Sequence, residues 1–154
     1  MKIQQQKLLL QQIDRKFNNA EVIKQMNLPN KGWINAIRTA MKMSLRQLGN
    51  RMGISAQSVM EIEQREVDGS ITLKSLKEAA NALEMKLVYA VIPKNESLEM
   101  IIEKKANEIA RDIVLRTSNT MRLEDQENSN ERIEKAIKEK AKEIIDTMPK
   151  YLWD

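Results

Sequence analysis

The sequence predicts a mainly α chain: a helix-turn-helix domain that ends in one β-strand, followed by a helical C-terminal extension. Three observations predict it. Residues 44–64, SLRQLGNRMGISAQSVMEIEQ, place apolar side chains at helical spacing on both sides of a glycine. Residues 85–93, MKLVYAVIP, form a short apolar run that stops at a proline. Residues 94–154 hold two charged segments with apolar stripes at a helical period.

The elements follow in order. Residues 1–30 read as an N-terminal helix and turn. Ile3, Leu9, Leu10, Ile13, Phe17 and Ala20 make its stripe, Val22, Ile23 and Met26 extend it, and LPNKG at 28–32 is the turn. Residues 31–84 read as the helix-turn-helix domain, with helices near 33–41, 44–52, 55–64 and 72–83 and with REVDGSI (65–71) as a loop. Thr72 is a good N-cap for the last of these. The expected core is Ile34, Ile37, Leu45, Leu48, Met52, Ile54, Val59, Ile62, Leu73, Leu76, Ala79, Ala80 and Leu83.

Within 44–64 the spacing is specific. Ser44 with Gln47 three residues on has the pattern of a capping box. Leu45, Leu48 and Met52 share a face. Gly53 ends the helix where a tight turn needs positive φ. Ser55 caps the next helix, with Val59 and Ile62 inward. Ala56, Gln57, Ser58 and Glu61 lie outward at its start, where small and polar groups suit a helix entering the DNA major groove N-terminus first. The alternative is an ordinary helical hairpin on a helical core. Arg38 and Glu63 stand where an ion pair would tie the first helix to the third, leaving part of the guanidinium for phosphate.

In residues 85–93, periodicity alone does not separate strand from buried helix, but β-branched and aromatic enrichment and the stop at Pro93 favour strand. A lone strand leaves its backbone groups unpaired. The expected partner is the same strand of a second copy, giving a homodimer joined through Leu87, Val88, Tyr89 and Val91. The alternative is an extended arm against its own helices. In 94–154, Ser97 caps a helix with Leu98, Ile101, Ile102, Ala106, Ile109, Ala110 and Ile113 on one side. A second helix starts near Asn130, carries Ile133, Ile137, Ala141, Ile144, Ile145 and Met148, and stops at Pro149. DQENSN (125–130) reads as a polar linker. These stripes need a surface: the dimer core, each other or another protein. Tyr151, Leu152 and Trp153 predict a docked end.

Composition narrows the function. The 154 residues contain no Cys and no His. That removes disulfides, thiolate chemistry, and the commonest general base and metal ligand. The four glycines are scattered and no Asp-rich loop appears. No catalytic residue, metal site or cofactor is expected. The longest apolar run, Leu87–Ile92, is far short of a membrane span, and Leu8–Leu10 is too short for a secretory core. The expected setting is cytoplasmic, with no membrane partner. Residues 1–93 hold 14 Lys/Arg against 8 Asp/Glu, and residues 94–154 hold 12 against 14. The basic excess therefore lies with the helix-turn-helix, as phosphate binding requires.

Residues 32–93, from GWINAIRTAMKMSLRQL through SITL to LVYAVIP, resemble the helix-turn-helix segment of the mobile mystery protein A family. NTMRLEDQ (119–126) and the terminal LWD (152–154) resemble it too, so the likeness runs over essentially the whole chain. The resemblance implies an Xre-like, lambda-repressor-like DNA-binding domain. It also implies the antitoxin and repressor half of a toxin–antitoxin pair on mobile elements, whose partner is a Fic-domain toxin.

Aligned to that repressor pattern, Ala56, Gln57, Ser58 and Glu61 face bases: Gln57 toward adenine, Glu61 toward cytosine, Ala56 toward a thymine methyl. Glu61 has a competing reading, since a carboxylate repels phosphate and can turn to solvent or to Arg65. Phosphate contacts are expected from Arg38, Ser44, Arg46, Asn50, Gln64 and Arg65. Glu66 and Asp68 stand where basic residues would grip the backbone, which makes dimerisation on a palindromic operator more necessary. The resemblance further implies a toxin-inhibitory Ser/Thr-x-x-x-Glu pattern, matched by Thr120 and Glu124, with Asp125 departing from the usual Gly/Asn; the alternative is a solvated helix end that matches by composition alone. The alternative function is a protein-only inhibitor or helical adaptor whose helix-turn-helix is a scaffold.

Overall fold

The computed structural model describes residues 2–121 and 130–154. Among them the chain is mainly helical: α1 (Ile3–Asn19), α2 (Glu21–Gln25), α3 (Gly32–Ala40), α4 (Leu45–Met52), α5 (Ala56–Asp68), α6 (Leu73–Ala82), α7 (Leu98–Met121), α8 (Asn130–Thr147) and a closing 3₁₀ turn (Lys150–Trp153). The chain divides into two compact units, Val22–Val91 and Met1–Glu21 with Ile92–Asp154. The N-terminal helix is therefore not a separate piece. α1 belongs with the C-terminal helices because its Leu10 packs on their core.

In the Val22–Val91 unit, Ile34, Leu48, Val59, Ala79 and Leu83 are buried together, with Ile37, Leu45, Met52, Ile54, Ile62 and Leu76 packed around them. Those are the apolar positions the helical period selects, with one exception. Leu73, which opens α6 directly after the Thr72 cap (Oγ1 accepting from the Ser75 N–H at 3.1 Å), is exposed. Residues 65–68 also depart from expectation. They continue α5 to Asp68, where Gly69 ends the helix, and no Gly or Pro interrupts residues 56–68. The Asp68 carboxylate then accepts from the Ser70 N–H and Oγ–H (2.9 and 2.5 Å), which holds it below the usual aspartate range.

Residues 85–93 join no ladder, and no strand occurs among the described residues. The Met85 N–H closes the end of α6 on the Ala80 carbonyl (2.9 Å); beyond it, no hydrogen bond within the described chain reaches the backbone of residues 86–91. The described residues offer no second extended segment there for pairing. Val88, Tyr89 and Val91 are exposed, Val91 by 85%, while Leu87 is half-buried.

In the other unit α7 and α8 pair along Ile102, Ala106 and Ala110 against Ile137, Ala141 and Ile144. These positions repeat every three or four residues, and the alanines let the two backbones approach. The stripes thus cover each other. Leu152 is buried in the same core, while Tyr151 and Trp153 stay exposed. α1 is fixed by polar contacts. Asp14 accepts from the Leu98 and Glu99 N–H groups (2.8 and 3.3 Å), joining Ser97, whose hydroxyl accepts from the Met100 N–H (3.2 Å). A carboxylate there satisfies orphan donors at the positive end of the helix dipole. Lys7 pairs with Asp146 of α8 at 2.8 Å.

That hydrogen bond, with the lysine charge, holds the Asp146 carboxyl below the usual aspartate range. A depressed folded-state value means the pair stabilises the fold above the ordinary aspartate pKa and stops doing so as pH falls through the folded one. Carboxyl-detected NMR titration should find Asp146 titrating low, and Lys7→Met should return it towards the ordinary value. An unchanged titration in the variant contradicts the pairing.

Candidate nucleic-acid interface

α4, the turn at 53–55 and α5 form the candidate interface, and short local bonds set its geometry. The Ser44 hydroxyl accepts from the Gln47 N–H (3.1 Å) while the Gln47 side-chain Oε1 accepts from the Ser44 N–H (2.8 Å), completing the capping box. Gly53 adopts φ 69°, ψ 29°. The Ile54 N–H then folds back onto the Gly49 carbonyl (2.9 Å), and Ser55 accepts from the Ser58 N–H (3.1 Å) to start α5. Gly49 has a role that spacing did not reveal. It is buried, and a Cβ there would stand 2.6 Å from the Ile54 carbonyl oxygen, so the turn lies directly on the α4 backbone.

Two carboxylates on the inner side of α5 set its orientation against α3. Glu63, 9% exposed, accepts from Arg38 Nε (2.5 Å) and Nη2 (3.2 Å) and from Asn35 Nδ2 (2.8 Å). Arg38 Nη1 donates to the Met43 carbonyl (2.8 Å), and its side chain is only 12% exposed. The expected ion pair is present. All three Arg38 nitrogens bond inside the unit through three of the five guanidinium N–H donors, which leaves two N–H groups for the expected phosphate contact. One turn further along α5, Glu66 accepts from the Trp33 and Ile34 N–H groups (both 2.9 Å) and so caps α3 from outside. Lys31, at the N-cap of α3, supplies no side-chain cap of its own. Glu66 is thus a capping group, not a repulsive charge in a loop. The uninterrupted helical sequence up to Gly69 was the available signal for it.

The outer side of α5 is open. Gln57, Glu61, Gln64, Arg65 and Asp68 recur at three- and four-residue spacing and are exposed. Ala56 and Ser58 are half-buried, and the Ser58 hydroxyl lies 2.9 Å from that of Ser55 within the cap. Arg46 and Asn50 are exposed on α4, as is Ser44 before it. Glu61 lies 3.9 Å from Arg65, a loose surface pair of the kind its competing reading describes. Arg51 is committed to the Ala82 carbonyl (3.2 Å). The backbone of Thr120 lies in α7, whereas Glu124 and most of the 125–130 linker fall outside the described residues. Among the described residues there is no cluster of metal-ligating side chains and no helix long and apolar enough to cross a membrane. No protein-family model, curated protein or solved structure matches the chain.

Two substitutions test this geometry by denaturant titration. Glu63→Ala strands a buried guanidinium and should cost about 3–5 kcal/mol, most of which Arg38→Met with Glu63→Leu should recover. A loss below about 1 kcal/mol, the range of a surface pair, contradicts the assignment. Gly49→Ala forces the turn off α4 and should cost about 1–3 kcal/mol; unchanged stability contradicts the close approach.

Proposed function

We propose that the chain is a sequence-specific DNA-binding repressor that acts as a homodimer. The carrying observation is the capped α4–turn–α5 unit, whose second helix is anchored by its inner carboxylates and presents Gln57, Glu61 and Gln64 outward from its first turns. In this reading α4–α5 is a helix-turn-helix of the lambda-repressor-like type and α5 enters the major groove. Gln57 pairs with adenine N6/N7 and Ala56 meets a thymine methyl. Glu61 accepts from cytosine N4 once released from Arg65. Ser58 is a lesser base contact, since its hydroxyl already serves the cap. Ser44, Arg46, Asn50, Gln64 and Arg65 supply the phosphate contacts, helped by the N–H groups that open each helix.

Residues 85–93 are the proposed dimer strand. Exposed Val88, Tyr89 and Val91 and an unpaired backbone support pairing with a second copy, which aligns two α5 helices with two half-sites of a palindrome. The likeness to the mobile mystery protein A family extends the proposal to an antitoxin that restrains a Fic-domain toxin, through Glu124 or through the C-terminal helices. A protein-only inhibitor is the competing reading. Exposed Met100, Ile113 and Leu115 on α7 favour it.

Selection of duplexes from a random pool tests the repressor reading. The protein should enrich an inverted repeat, with binding that weakens steeply as salt rises. Gln57→Ala should keep the fold and lose preference at one base pair per half-site, about 1–3 kcal/mol of discrimination; an unchanged preference removes Gln57 from base reading. Leu87→Asp should convert a sedimenting dimer to a monomer, and a profile still dimeric rejects the strand.

A further inference from the structure

Beside α3 the Val22–Val91 unit contains an open cavity of about 360 Å³. Met26 and Leu28 border it from the segment before α3, Trp33 and Ile37 from α3 itself, and Leu76 from α6. Its remaining wall is the segment just after α6, where Lys86 is the one charged residue among those lining the cavity. No described residue makes an ion pair or side-chain hydrogen bond with Lys86, and the backbone N–H groups of Lys86–Val88 bond nothing within the described chain. Apolar walls of ligand-binding size thus meet one unpaired cation.

We propose that this cavity binds an amphipathic monoanion, a carboxylate on an aliphatic chain. The chain lies against Trp33, Ile37 and Leu76, and the carboxylate meets Lys86. Charge decides the class. A carboxylate gains an ion pair with Lys86 that a neutral alkane does not, and an alkyl cation is repelled by it. The site is separate from the outer side of α5 and does not rest on the DNA-binding reading.

Trp33 supplies the readout. In the full-length Trp153→Phe variant it is the one tryptophan left. Titration with decanoate below its micelle concentration should shift Trp33 emission saturably, and decyltrimethylammonium at equal concentration should not. Lys86→Gln is a surface change that circular dichroism should show to be folded, and it should weaken decanoate binding roughly threefold, the scale of an exposed ion pair. No saturable shift overturns the proposal, as does equal binding of the cationic amphiphile or an unweakened Lys86→Gln. Decanoate that gives no shift at protein concentrations where Trp33 emission has stopped changing with concentration also overturns it, because a second copy then fills the cavity.

Discussion

The hold of α3 on α5 is the constraint on which the rest of the Val22–Val91 unit depends. Glu63 and Glu66 lie one turn apart on the inner side of α5. The first receives Arg38 and Asn35; the second receives the opening N–H groups of α3. Their gain in net stability is modest, since burying charge offsets much of the attraction. Their gain in geometry is larger. A bidentate guanidinium contact fixes orientation as well as distance, and a second carboxylate one turn away opposes rotation of α5 about its axis. The outward direction of Gln57, Glu61 and Gln64 follows from that. A helix free to roll would present a different set of side chains.

The same device recurs in the other unit. Asp14 reaches from α1 to the first N–H groups of α7 just as Glu66 reaches from α5 to those of α3. In both places an acidic side chain distant in sequence satisfies donors that the helix cannot satisfy itself. This accounts for acidic residues in a chain whose N-terminal part is basic. Glu63, Glu66 and Asp14 are partnered within their units, while Arg46 is exposed.

What the sequence made legible were the elements governed by local rules. The Ser44–Gln47 box, the turn at Gly53, the Ser55 and Thr72 caps and the stop at Pro149 all depend on residues within a few positions of one another. The apolar period selected Leu48, Val59, Leu83, Ile102 and Ile144 for the same reason. What it hid were contacts between distant residues. The caps from Glu66 and Asp14 span more than thirty and eighty positions, and neither side chain differs in kind from a solvated one. Gly49 was hidden because its close neighbour is a backbone oxygen beyond the turn. The destination of α1 followed from its packing partner, not from its own stripe. The 85–93 segment shows a different limit: its pattern predicts a strand, and no strand forms among the described residues.

The most direct test of the central claim is a two-dimensional ¹⁵N spectrum of the full-length protein titrated with a short duplex selected by that protein, with a scrambled duplex as control. The account predicts that the selected duplex shifts the amides of residues 44–46 and 55–65 most strongly, while those of α7 and α8 remain near their free positions. Shifts concentrated on α7 and α8, or the same weak shifts with either duplex, would contradict it.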